Sequence, residues 1–244
     1  MKRRTDKPKQ REGNLQAEMG LLDHLNELRQ RLVRAVIALL IGTLLGMLVA
    51  PTALKTLVSP LGDQVPLAIS PTEAPTVFFK VALIIGITIA MPVIMYELFK
   101  FAAPGLEVNE RRYIFIGAPA ASLSFATGVV FAAMVLLPAA IPFLKGFLSE
   151  IVEQRYSIER YISFVGNMLL WAGLVFETPL VMYFLAKLGV ATPEAFAKGR
   201  RLVIVGAAAG AAIVTPTTDP VNMLLVMVPF MLLYELGILL SRLA

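Results

Sequence analysis

Apolar residues in this chain fall into long, nearly unbroken runs rather than alternating with polar ones. Six runs stand out, at about 32–50, 77–99, 113–137, 161–186, 202–215 and 221–240. Most are long enough to cross the roughly 30 Å hydrocarbon layer of a bilayer as a helix rising about 1.5 Å per residue. Helices are the expected form, because only they satisfy every backbone N–H and C=O within one segment, and the short alternating runs of a barrel are missing. The run at 202–215 is short: fourteen residues reach roughly 21 Å, so either its neighbours bury it or the bilayer thins beside it. Before the first run, Leu21, Leu25, Leu28 and Leu32 recur at helical spacing beside a second stripe of Asp23, Glu27, Arg31 and Arg34. That pattern predicts an amphipathic helix near the membrane surface leading into the first span.

The connections carry their own information. Residues 1–19 are polar and basic, with Lys2, Arg3, Arg4, Lys7, Lys9 and Arg11, and read as a disordered solvated tail ahead of a single membrane domain at 20–244. The segments 51–76 and 138–160 are long, and the first holds five prolines. Both are expected to fold as a rigid cap with short helices on the outer side, whereas 216–220 is a tight turn. The first apolar run starts too late for a cleavable leader and reads as a permanent span. No internal repeat of the inverted-transporter kind is visible.

Composition agrees with this picture: 57% of the 244 residues are hydrophobic and only 16% charged, against about 25% charged in an average soluble domain. The charge distribution orients the chain. With the N-terminus inside, seventeen of the 22 Lys and Arg residues fall on the cytoplasmic side, and only Lys55, Lys80, Lys145, Arg155 and Arg160 fall outside. By the positive-inside rule both termini are cytoplasmic. The absence of cysteine excludes disulfides and thiolate chemistry, and the single histidine, His24, cannot build a histidine-rich metal site. No phosphate loop, nucleophile elbow or zinc-helix motif is present, so neither an enzymatic activity nor a cofactor or metal is expected.

A few polar residues sit where they call for a reason. Glu177, in Leu174-Val-Phe-Glu-Thr-Pro179, lies inside the fourth span, where a carboxyl group must face the bundle interior, find a donor or keep its proton. Pro179 should bend the helix there. Glu27 and Glu110 lie at the cytoplasmic surface, and each could accept the paired N–H donors of a guanidinium. Each also has a plain structural explanation: Glu27 pairs with Arg31 one turn on, and Glu110 complements the start of the third span. Glu97 and Glu235 read as interfacial residues near cytoplasmic helix ends. Asp219 reads as the cap of the last span, with Pro220 in its first turn. On these residues alone, a proton-coupled small-solute transporter using Glu177 stays open. An intramembrane protease lacks a credible Ser–His pair.

The segment His24-Leu-Asn-Glu27-Leu-Arg29-Gln-Arg31 resembles the N-terminal signature of the TatC family. So do Pro71-Thr-Glu73 with Lys80, Pro92, and Phe101-Ala-Ala-Pro104-Gly-Leu106 followed by Glu110-Arg-Arg112. Phe176-Glu177-Thr-Pro179, Thr215-Pro-Thr-Thr-Asp219-Pro220 and Pro229 with Tyr234-Glu235 continue the match in order across the spans. The resemblance implies a concave bundle of six transmembrane helices in the bacterial inner membrane. It implies recognition of the twin-arginine signal peptides of folded cargo, and export driven by the proton-motive force. Signal-peptide contacts would fall to Glu27, Arg29, Phe101 and Glu110. Glu177, Thr215, Asp219 and Asn222 would form an intramembrane polar site for single-span partners of the TatA and TatB types, in a multi-copy complex without nucleic acid. Two positions depart from the family pattern: Glu97 and Met223 stand where glutamines are usual. Asn222 offers an amide one residue early, about 100° around the helix from Met223.

Overall fold

The computed structural model of the chain describes residues 9–102, 112–151, 154–214 and 220–244, and these are almost entirely helical. Eight helices follow in order: α1 (Lys9–Val58), α2 (Glu73–Ala102), α3 (Arg112–Phe131), α4 (Leu137–Gly146), α5 (Ile158–Phe176), α6 (Thr178–Lys187), α7 (Pro193–Val214) and α8 (Pro220–Ser241). A π-turn at Ala132–Leu136 joins α3 to α4, and α6 continues α5 after an interruption at Glu177, so the eight helices form six membrane passes. Five of these passes contain a stretch long and apolar enough to cross a bilayer unaided. The remaining one, α7, is apolar only beyond Arg201.

Several boundaries differ from the sequence pattern for identifiable reasons. The first span runs on through Pro51 to Val58 instead of ending at Ala50. One missing N–H does not stop a helix whose continuation buries Ala50 and Leu57 in the core. The amphipathic stretch before it is no separate surface helix: α1 is continuous from Lys9, within the segment read as a polar tail, and residues 1–8 lie outside the described residues. The third pass outlasts Pro138 and Pro142 and reaches Gly146, the helix widening into the π-turn just before the first proline. The short fifth run belongs to a helix of 22 residues that starts back at Pro193. Its apolar half is not enclosed by neighbours, since Leu202, Val205 and Ile213 are exposed.

The tightest packing joins α1 to α2. A Cβ added to Gly42 would lie 2.5 Å from the Gly86 carbonyl oxygen, and one added to Gly46 would lie 2.4 Å from the Ala82 oxygen. From the other side, a Cβ on Gly86 would meet the Thr43 backbone at 2.6 Å. Small residues four apart on both helices let the backbones approach closely, which is how helices associate where no hydrophobic driving force acts between them. Gly128 and Gly173 do the same for α3 against α5, where a Cβ on Gly173 would strike the Phe125 ring. Several hydroxyls in the spans are satisfied within their own helices, Thr43 on the Leu39 carbonyl, Thr88 on Ile84 and Ser122 on Ala118. Outward faces are apolar: on α1, Leu40, Leu44 and Leu48 are each more than half exposed, as a lipid-facing surface requires.

The expected cap is present at one end. Residue 67 pairs with the segment before α5, through Leu67 N to Tyr156 O and Ile158 N to Leu67 O, each at 2.9 Å. Lys145 Nζ donates to the Leu61 carbonyl at 2.6 Å and the Tyr161 hydroxyl to the Leu57 carbonyl at 2.6 Å. Ser157, the N-cap of α5, donates its hydroxyl to the buried Glu73 carboxylate at 3.0 Å. Lys80 reaches Ser163 at 2.8 Å and Glu159 at 3.3 Å. Buried polar contacts thus tie both long connections to α1, α2 and α5.

This packing predicts a contrast among glycines. Gly42→Ala or Gly86→Ala should destabilise the chain by about 1–3 kcal/mol, because backbone atoms must move apart. Gly206→Ala and Gly210→Ala, whose added Cβ would meet nothing within 4 Å, should be neutral or slightly stabilising on helix propensity. Thermal unfolding in detergent, followed by circular dichroism, distinguishes the two sets.

Candidate functional site

At the end opposite the cap, α1 and α2 bring charged side chains together. Arg31 lies at the centre. Its Nε donates to Glu27 Oε1 at 3.1 Å, Nη2 donates to the same oxygen, and Nη1 donates to Glu97 Oε2 at 3.1 Å. Arg34 Nη1 reaches both Glu97 oxygens, at 3.3 and 3.4 Å. The Arg31 and Glu97 side chains are only 11% and 8% exposed, against 36% for Glu27 and 54% for Arg34. The cluster therefore grades from a buried core at Glu97 to an open rim at Glu27.

Register explains why these groups meet. Gly42 opposes Gly86 in the antiparallel α1–α2 pair. Eleven residues back along α1 stands Arg31, and eleven forward along α2 stands Glu97. Eleven residues is close to three helical turns, so both side chains return to the facing surfaces. One further turn brings Glu27 to the level of Phe101. There the His24 ring stacks on Phe101, with centroids 4.5 Å apart and planes 20° apart. His24 Nδ1 stands 3.9 Å from Glu27 Oε2, and Lys100 lies over the Tyr96 ring at 5.4 Å. The rim around Glu27 thus combines a carboxylate with an aromatic stack.

Of the residues predicted for this end, Glu27 and Phe101 share the rim. Arg29 is exposed and makes no ion pair among the described residues. Glu110 lies outside the described residues. Glu97 is the residue sequence reasoning undervalued: it is no loose interfacial acid but a buried anchor for two arginines. The small residues Gly42, Gly46, Ala82 and Gly86 were the available signal, since they set the register that places it against Arg31. Glu235 is likewise paired, receiving Arg200 through two bonds of 2.6 and 2.7 Å.

The second candidate site lies inside the membrane domain. Glu177 breaks the fourth pass as predicted: Pro179 cannot donate to the carbonyl one turn back, and α5 gives way to α6. The Phe176 carbonyl accepts the Ser124 hydroxyl of α3 at 2.7 Å. Glu177 is 5% exposed, and neither carboxyl oxygen has a hydrogen-bond partner among the described residues. Asn222 is fully buried within the chain, so its amide is not offered at an outer edge. Thr215 and Asp219 lie outside the described residues. Beside this region an apolar groove runs between α5, α7 and α8, lined by Trp171, Val175, Gly206, Gly210, Pro229 and Phe230. Gly189, with φ of 67°, closes the C-terminal end of α6 where Val190 N bonds Leu185 O, a left-handed turn that glycine adopts without strain.

Six apolar passes, a cap at one end and a charged cluster at the other define a multi-pass helical membrane protein. The profile described as Sec-independent protein translocase protein (TatC) matches residues 23–229. The chain belongs to this family. The Aquifex aeolicus protein named Sec-independent protein translocase protein TatC is 37% identical over 232 residues, covering 93% of this chain and 96% of that protein. The Deinococcus radiodurans protein of the same name is 36% identical over 234 residues, covering 93% and 87%. Among solved structures, a crystal structure titled twin arginine translocase receptor TatC superposes with a TM-score of 0.79 at 36% identity, covering 90% of this chain and 98% of that one. A second, in the detergent DDM, gives 0.81.

Opposite stability effects are expected at the break in the fourth pass. Ser124→Ala removes the bond to Phe176 O and should lower stability by about 1 kcal/mol. Glu177→Gln keeps the shape while removing an ionisable group that has no hydrogen-bond partner among the described residues, and should raise it. Melting of the isolated chain in detergent reads both.

Proposed function

We propose that this chain is the receptor subunit of a translocase that binds the twin-arginine signal peptide of folded cargo. With single-span partners of the TatA and TatB types it exports that cargo across a bacterial plasma membrane at the expense of the proton-motive force. The observation that carries this reading is the Glu27 carboxylate. It stands at an open rim beside an aromatic stack and already holds one guanidinium, that of Arg31. The same acceptor geometry suits a guanidinium from a peptide, which stays charged at any cellular pH. At an effective dielectric near 20, opposite charges about 4 Å apart attract by about 4 kcal/mol before desolvation. A lysine in the same place loses the two-pronged fit. Glu110 is the second acid of the reading and Phe101 the apolar floor, with Arg29 orienting the carboxylates. The role is one of binding and conformational coupling, not of catalysis.

The same reading assigns the membrane interior. Glu177, buried and with no hydrogen-bond partner among the described residues, offers a polar site for a partner's transmembrane helix beside the apolar groove, with Thr215 and Asp219 assigned to the 5–6 edge and Asn222, buried within the chain, to the same polar set without facing the partner. The cytoplasmic placement of both termini rests on the seventeen-to-five division of basic residues.

Binding of a labelled peptide bearing paired arginines to the purified chain in lipid nanodiscs tests the recognition step. Glu27→Gln and Glu110→Gln should each weaken it about tenfold or more, and a paired-lysine peptide should bind the unaltered chain comparably weakly. Equal binding of both peptides, or no loss in either variant, would remove these acids from the role.

A further inference from the structure

The cluster that holds Glu27 contains a guanidinium of its own, and this has a consequence for any ligand that brings another. Arg31 places two N–H groups on Glu27 Oε1 and one on Glu97 Oε2. Among the described residues, the remaining Glu27 oxygen makes no hydrogen bond and has His24 Nδ1 at 3.9 Å. An incoming guanidinium that takes both oxygens in the usual fork must therefore displace Arg31 from Oε1. Arg31 cannot simply turn to water, because its side chain is only 11% exposed and packed between α1 and α2. The group that can receive it is Glu97, already 3.1 Å away.

Glu97 is in turn occupied by Arg34, but loosely. The Arg34 contacts are the longest in the cluster, 3.3 and 3.4 Å, and its side chain is 54% exposed. Arg34 is thus the most loosely held cation of the cluster, and its long stem can carry the guanidinium toward the membrane interface. The four groups are two carboxylates and two guanidiniums, so the cluster is balanced before any ligand arrives. We infer that recognition proceeds by relay: the ligand's guanidinium takes Glu27, Arg31 swings fully onto Glu97, and Arg34 is released to the interface. Arg31 is an internal competitor for the recognition carboxylate, and Glu97 is the positioning residue that sets how strongly it competes. This inference rests on the reading of Glu27 as a guanidinium acceptor.

The relay makes a prediction that plain electrostatics does not. Glu97→Gln removes a negative charge close to the rim and also deprives Arg31 of its alternative, so binding of the paired-arginine peptide should weaken about fivefold. Arg31→Lys leaves the net charge unchanged but replaces the forked bridge with a single point charge, so binding should tighten about fivefold. In the Arg31→Lys background the effect of Glu97→Gln should shrink below about twofold, because the competitor it restrains is gone. Titration of the labelled peptide into the full chain in nanodiscs at one fixed salt concentration measures all four proteins. Equal weakening by Glu97→Gln in both backgrounds, or unchanged affinity in Arg31→Lys, overturns the relay while leaving Glu27 as the acceptor. Unchanged affinity in Glu27→Gln overturns the recognition reading, and the relay with it. Arg31→Lys keeps a positive charge beside Glu27 and Glu97, so both carboxylates stay paired and its result stands even where Glu97→Gln loses stability.

Discussion

The close approach of α1 and α2 is the contact on which the rest of this structure depends. With lipid on the outside and no hydrophobic gain from hiding one apolar helix against another, association rests on van der Waals contact. Gly42, Gly46, Ala82 and Gly86 allow it by removing bulk where the backbones meet. Such a contact tolerates little sliding, because each glycine faces a specific carbonyl or amide on the other helix. The register so fixed extends along both helices, bringing Arg31 level with Glu97 at one end. At the other it leads into the cap, where Glu73 and Lys80 of α2 hold the start of α5.

A charged cluster at a membrane rim is stable only if its members are matched. Glu97, nearly inaccessible to water, would be costly alone, and two arginines neutralise it. That pairing leaves Glu27, the more exposed acid, as the place where exchange with an outside cation is possible. In the proposed reading, burial and exposure thus divide two identical carboxylates into an anchor and an acceptor. Charge would not separate them, since both are carboxylates bonded to the same arginine.

The interior site works on the opposite principle. Around Glu177 the helix is interrupted by Pro179, the Phe176 carbonyl is bonded by Ser124 from another pass, and the carboxyl itself has no donor among the described residues. The fold therefore spends its local hydrogen bonds on the backbone and leaves the side chain's capacity unfilled. Next to it, the α7 face at Gly206 and Gly210 is open and smooth. An unsatisfied acid beside an unpacked apolar groove is what a partner helix with a polar residue would complement.

The sequence by itself determined the number of passes, the bend in the fourth span and the long cap connections. Run length, proline chemistry and helical periodicity act locally and are written in consecutive residues, whereas Glu27 and Phe101 were joined only by the family resemblance. The local pattern misjudged where α1, α4 and α7 begin or end, because prolines and charges that look like boundaries do not by themselves stop a helix. Glu97 passed for an interfacial acid for a related reason: its partners are more than sixty residues away, and only the α1–α2 register brings them within 3.4 Å. Tertiary structure also decided that Asn222 turns inward and that Glu177 faces α3 with no donor among the described residues. Periodicity shows which residues share a helix face. Which face meets which neighbour depends on contacts between distant segments, and no single helix specifies them.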